Sequence, residues 1–130
     1  MITKVGVKVH FDAAHYLPNY KGKCGNMHGH TWHITAQVSG TVCPVTGMVL
    51  DLTILKRVVN DAIIAYDHQL LNDHISMPTC ETMAHVIAAY VHAHTRRENV
   101  IGMGGSKEVD ITSVEITVQE GEGGWACVTL

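Results

Sequence analysis

Two periods of hydrophobicity alternate along this chain, and each marks a different kind of element. "KVGVKVHF" places Val5, Val7, Val9 and Phe11 on one side and Lys4, Gly6, Lys8 and His10 on the other, which predicts a half-buried strand. "HGHTWHITAQVSG" alternates in the same way: His28, His30, Trp32, Ile34, Ala36 and Val38 share one side, and Gly29, Thr31, His33, Thr35 and Gln37 the other. The intervening "LPNYKGKCGN" is a loop, rich in turn formers. After the turn "CPVTG", "MVLDL" reads as a short extended piece. The period then changes. Leu55, Val58, Val59, Ala62, Ile63 and Tyr66 recur at helical spacing, and Met83, Val86, Ile87, Tyr90 and Val91 predict a second helix. Thr79 suits the N-cap of that second helix, and Glu81 favours its positive end. "GMGGS" is read as a connecting loop, because no strand leads into it as a phosphate fingerprint requires. "DITSVEITVQE" and "GWACVTL" close the chain as strands.

This order predicts one α+β domain over residues 1–130, with a four-stranded antiparallel sheet and two helices on one face. An open sheet of that size leaves edges that pairing with further copies would cover, so oligomerisation is expected.

Composition narrows the partners. A hydrophobic share of 46% with 16% charged residues suits a folded, soluble chain, and a formal charge of −3 gives no basic surplus for nucleic acid. No apolar run is long enough to cross a membrane, and the start lacks the core of a signal peptide. Four cysteines without a CxxC pair are read as free thiols in a reducing cytoplasm rather than as a disulfide framework. Ten histidines are the unusual feature, and they direct attention to metal binding and proton transfer.

The segment "KCGNMHGHTWH" concentrates the chemistry. With a strand period of two, His28 and His30 point to one face and can grip a single ion, while His33 points to the other. His15, just past the first strand in "FDAAH", is the nearest third ligand, and three histidines with an open fourth position describe a catalytic zinc site. Ordinary hydrogen-bonded rings are the alternative. The same face runs on into Trp32 and Ile34, however, where an unpaired imidazole is costly. Cys24 is either a fourth ligand or a nucleophile or base, and spacing leaves both open; its glycine-flanked loop favours an exposed thiol. Cys43, Cys80 and Cys127 are read as small apolar fillers. Asp67 and His68 end the first helical stripe, as a tuned general base or as a polar helix end. Glu120 follows Val114, Ile116 and Val118 on one strand face. It is therefore either an inward carboxylate at a pocket or subunit contact, or a solvated strand end. His10, His74, His85, His92 and His94 receive no role.

Six segments in order, "FDAAHYL", "KCGNMHGHTW", "TGMVLDLTILK", "DHQLLN", "MPTCET" and "VEITVQE", resemble the 6-pyruvoyl-tetrahydropterin synthase family, above all its 6-carboxy-tetrahydropterin synthase branch. The resemblance implies a T-fold (tunnelling fold), in which the sheets of several subunits join into a barrel. It further implies a homohexamer of two trimers with active sites between subunits. Carried over, His15, His28 and His30 match zinc ligands, Cys24 the catalytic cysteine, Asp67 and His68 a relay pair, and Glu120 the glutamate that anchors the pterin. Thr79 and Glu81 match a segment near the pterin pocket. Three residues separate Cys24 from His28, as in the carboxy-forming branch; the animal pyruvoyl-forming enzymes carry a longer insertion there. The implied reaction converts 7,8-dihydroneopterin triphosphate to 6-carboxy-5,6,7,8-tetrahydropterin, with loss of acetaldehyde and triphosphate, on the route to queuosine. The alternatives are a 6-pyruvoyl product, or a non-catalytic zinc- or pterin-binding protein. Lys21 and Lys23 either steer the triphosphate or form a solvated face. Because His33 is assigned to the opposite strand face, His33→Ala is expected to leave zinc content unchanged by elemental analysis; loss of the metal would show a different strand register.

Overall fold

The computed structural model describes residues 1–101 and 110–130, with side chains omitted at 96–101; the expected loop at 102–106 lies outside the described residues. The elements are β1 (Thr3–His15), β2 (His28–Gly40), α1 (Leu52–Ile63), β3 (Gln69–Leu70), α2 (Cys80–Ile101), β4 (Ile111–Glu120) and β5 (Gly124–Thr129). They form one sheet in the order β3-β1-β2-β4-β5. The two helices pack together on its apolar face, α1 against β1 and α2 against β4 and β5.

The structure corrects four expectations, three of them in the backbone. The sheet has five strands rather than four, because Gln69 and Leu70 pair parallel to Ala13 and Ala14; two residues are too few to show an alternating pattern. "MVLDL" is not extended: Val49 and Leu50 are consecutive buried residues in a bend. Asp51 then caps α1, its carboxylate accepting the Thr53 N–H at 2.8 Å. A continuous apolar run does not separate such a bend from a strand. Tyr66 also falls beyond α1, in the turn that follows it. The cap of α2 is as expected, with the Thr79 hydroxyl accepting from the Thr82 N–H at 3.2 Å.

The alternating strands supply the inner face. Phe11, Trp32, Ile34, Ala36, Val114, Ile116 and Val118 meet Leu55, Val59, Met83, Ile87 and Val91, all of them sealed from solvent. Phe11 stacks on Trp32 at 6.1 Å between ring centroids, and the Trp32 indole N–H donates to the Ala13 carbonyl at 3.2 Å. The outer face carries Lys8, His10, Asp12 and His33, all exposed. Of the cysteines read as fillers, Cys80 is buried, Cys43 is partly exposed and Cys127 is exposed. The Cys127 reading is thereby corrected: β5 alternates so that Ala126 and Val128 turn towards the core, leaving Cys127 outside beside Trp125. Among the described residues no helix is long and apolar enough to cross a membrane.

Trp32 joins β1, β2 and the core through packing and one hydrogen bond. Trp32→Ala is expected to cost about 3–5 kcal/mol, read as a lower midpoint in urea unfolding.

Candidate metal centre and active site

The β1–β2 register sets His15 directly opposite His28, with Ala13 opposite His30. His28 and His30 share a face, so three imidazoles gather at one end of the sheet. Their ring centroids lie 4.6 Å (His15–His28), 4.7 Å (His28–His30) and 5.3 Å (His15–His30) apart. On β4, Glu120 pairs with Trp32 and is brought to the same place. One ligand atom from each of His15, His28, His30 and Glu120 lies within 4.8 Å of all the others. Of the two readings of Glu120, the structure shows the inward carboxylate, and it contacts His15 and His30. The exposed Cys24 is not part of this cluster.

Backbone carbonyls orient two of the rings. His15 Nδ1 lies 2.8 Å from the Pro78 carbonyl and His28 Nδ1 lies 2.7 Å from that of Asn26. A carbonyl only accepts, so both Nδ1 atoms carry the proton and both Nε2 atoms present a lone pair. Such second contacts of metal-binding imidazoles fix ring orientation and raise basicity. His15 Nε2 is buried and unsatisfied, yet it lies 2.7 Å from Glu120 Oε1, which is also 3.0 Å from His30 Nε2. That 2.7 Å contact becomes a hydrogen bond only if Nε2 gains a proton. Otherwise two lone pairs face each other, and a cation between them relieves the clash. Three imidazoles and a carboxylate are a zinc-compatible donor set, so these residues fit the metal.

Cys24 sits in a 3₁₀ turn at Lys23–Gly25. The Leu17 N–H donates to the Cys24 carbonyl at 2.8 Å, closing the loop on itself. A Cβ on Gly25 would lie 2.4 Å from the Tyr20 carbonyl oxygen, so only glycine allows this turn. Cys80 is a different kind of thiol. Its Sγ–H donates to the Val118 carbonyl at 2.9 Å, and burial, with the Glu120 charge adding, pushes its pKa up to about 11.

Asp67 and His68 occupy the turn after α1, His68 at φ 59°, in the left-handed region that costs a non-glycine residue energy. His68 Nδ1–H donates to Asp67 Oδ1 at 2.9 Å. The Asp12 N–H, with His68 assisting, holds the Asp67 carboxyl below its usual range. His68, His30, Asp12 and Thr31 border one open depression of about 650 Å³. A depression of about 500 Å³ beside α1 holds none of these groups. Thr79 is half-buried at its cap and Glu81 is exposed in the first turn of α2. The Pro78 and Asn26 carbonyls escaped the sequence reading, since main-chain acceptors leave no side-chain signal. Asp12 lies inside "FDAAH" and its carboxylate was the available clue.

The sequence profile described as 6-pyruvoyl tetrahydropterin synthase matches residues 4–129. The chain belongs to that family. A Bacillus subtilis 6-carboxy-5,6,7,8-tetrahydropterin synthase is 35% identical over 95 residues, covering 66% of this chain and 63% of that protein, so the match spans under two thirds of this relative. A Synechocystis enzyme of the same name is 35% identical over 100 residues, covering 72% and 74%. The Caenorhabditis elegans 6-pyruvoyl tetrahydropterin synthase structure superposes with a TM-score of 0.77 at 22% identity, covering 100% of this chain and 96% of that one. This likeness establishes the T-fold.

Within this family member the charges at the histidine cluster have clear directions. For His15, burial pushes the pKa down, but the Glu120 contact and the Pro78 carbonyl outweigh it and the net shift is up. Glu120 is lowered, chiefly by His15 and against its own burial. His30 is lowered by burial and by the neighbouring histidines, against the pull of Glu120. The raised His15 value gives metal-free protein stability that is full below pH 6.5 and lost as pH rises through the folded-state value. The lowered Glu120 value gives stability present above pH 4.5 and lost as pH falls through its folded-state value. The stability gap between metal-free wild type and Glu120→Gln is therefore expected to be widest between about pH 4.5 and 6.5 in urea unfolding. A gap independent of pH would show that the pair does not form.

Proposed function

We propose that this protein is a zinc-dependent 6-carboxy-5,6,7,8-tetrahydropterin synthase acting on 7,8-dihydroneopterin triphosphate in queuosine and other deazapurine biosynthesis. The observation that carries the metal is the buried, unsatisfied His15 Nε2 beside His30 and Glu120, with a ring nitrogen of His28 in the same cluster. The short spacing from Cys24 to His28 and the names of the two bacterial relatives support the carboxy-forming branch over the pyruvoyl-forming one.

His15, His28 and His30 would hold zinc, which supplies Lewis acidity to the hydroxyls of the substrate's side chain. Cys24, as thiolate, moves protons on that side chain; its exposure and closed turn present the sulfur to an incoming ligand. With Nδ1–H tied to Asp67, His68 keeps Nε2 as the second acid or base. Glu120 accepts the two parallel N–H bonds of the pterin's amino-pyrimidine edge, leaving the histidines when their lone pairs are taken. Thr79 and Glu81 border the pterin. With one water consumed, the products are 6-carboxy-5,6,7,8-tetrahydropterin, acetaldehyde and triphosphate.

The assembly we propose is a homohexamer of two trimers whose sheets join edge to edge and place the site between subunits. Its support is the pair of uncovered edges among the described residues: β5 has no further strand beside it, and β3 covers only Ala13 and Ala14 of β1. Four cysteines outside any disulfide are consistent with a cytoplasmic location.

Mass spectrometry of products from zinc-loaded protein and 7,8-dihydroneopterin triphosphate tests the reaction. The carboxypterin with acetaldehyde is expected; a pyruvoyl product would place the chain on the other branch, and unchanged substrate would remove the activity. Cys24→Ala is expected to keep stoichiometric zinc and lose roughly 10²–10⁴-fold in turnover. Loss of zinc in that variant would make Cys24 a ligand, as would be expected of a non-catalytic zinc protein. Glu120→Ala is expected to keep zinc and raise KM.

A further inference from the structure

The mechanism above makes no use of Asp12 or Thr31, yet both border the depression that holds His68 and His30. They lie directly opposite each other on β1 and β2, on the outer face, which among the described residues no helix covers. The Thr31 hydroxyl donates to Asp12 Oδ1 at 2.6 Å, a short charge-assisted bond. The main chain of Asp12 meanwhile grips both members of the dyad: its N–H donates to Asp67 Oδ1 at 3.1 Å, and its carbonyl accepts the His68 N–H at 2.6 Å. A carboxylate oxygen of Asp12, one of Asp67 and a ring nitrogen of His68 all lie within 4.8 Å of one another.

We propose that Asp12 and Thr31 form a positioning pair for the Asp67–His68 dyad, an inference that rests on the dyad's role in turnover. His68 is in a strained turn, which by itself is free to relax. The peptide of Asp12, fixed in a thirteen-residue strand, holds that turn in place. The Thr31 hydroxyl keeps the Asp12 carboxylate drawn across to β2. From there it sets a second negative charge beside the His68 imidazole without displacing Asp67 from Nδ1. His68 Nε2 is left free for the substrate, and the dyad is tied to the strand that carries His28 and His30.

Steady-state kinetics on zinc-loaded full-length protein test this. Asp12→Asn and Thr31→Val are expected to lower kcat roughly tenfold, the scale of losing a hydrogen-bonded support around a reacting group, with KM and zinc content unchanged. Thr31→Ser keeps the hydroxyl and is expected to stay near wild type. In a His68→Ala background Asp12→Asn should cost nothing further, because residues acting through one another are not additive. Full additivity, equal losses for Thr31→Ser and Thr31→Val, or a change confined to KM would overturn the proposal. If Asp67→Asn and His68→Ala turn over normally, the dyad reading fails and the positioning role falls with it. If they are inactive while Asp12→Asn is wild type, only the positioning role fails. A readout needing no turnover is the rate at which diethyl pyrocarbonate modifies His68, followed by peptide mass spectrometry. Thr31→Val should change that rate at least twofold and Thr31→Ser should not; no change in either overturns the proposal.

Discussion

The pairing of β1 with β2 is the constraint on which the candidate metal centre depends. With Phe11 opposite Trp32 and Val9 opposite Ile34, His15 has to fall opposite His28. A slip of one residue would turn Phe11 or Trp32 out of the core and carry the histidines with them, because every side chain of a slipped strand changes face. Burying each large apolar side chain is worth about 1.5–3 kcal/mol, so the core sets the register firmly. The histidines take their places at the end of the same apolar faces. Packing alone therefore brings these side chains together.

Extending an apolar face into imidazoles and a carboxylate has an electrostatic cost. His15 is almost fully buried, and a buried polar atom without a partner is destabilising. The fold satisfies one nitrogen with the Pro78 carbonyl and turns the other towards Glu120 and His30. The opposite shifts of His15 and Glu120 have one origin, the contact between them, which calls for a positive charge between His15 Nε2 and the Glu120 carboxylate. A proton meets that need in the metal-free protein, and a divalent ion meets it more fully.

The groups proposed for proton transfer are held differently. Cys24 and His68 lie in turns, one closed by a hydrogen bond across its loop and by a glycine against the Tyr20 carbonyl, the other held in the left-handed region. Rigid strands hold His15, His28, His30 and Glu120, and turns tied to the strands or closed on themselves present the exposed Cys24 and His68. The peptide of Asp12 is the junction in the second case, since it belongs to β1 and bonds to both residues of the dyad.

The periods of two and 3.6 residues were enough to read four strands, two helices, the Thr79 cap and the shared face of His28 and His30, because those features repeat along the chain and depend on local geometry. The same pattern offered an inward Glu120 as one of two readings, because the last position of an apolar strand face can equally be a solvated end. Two-residue β3 and the bend at Val49 and Leu50 were not legible, since neither is long enough to have a period. Tertiary structure alone decided that Glu120 would meet His15 and His30, that the Pro78 and Asn26 carbonyls would set the ring tautomers, and that Asp12 would hold the dyad. These contacts join residues distant in sequence or use main-chain atoms common to every residue type. Side-chain pattern determines which face a residue occupies; only the packed strands and turns determine what it meets there.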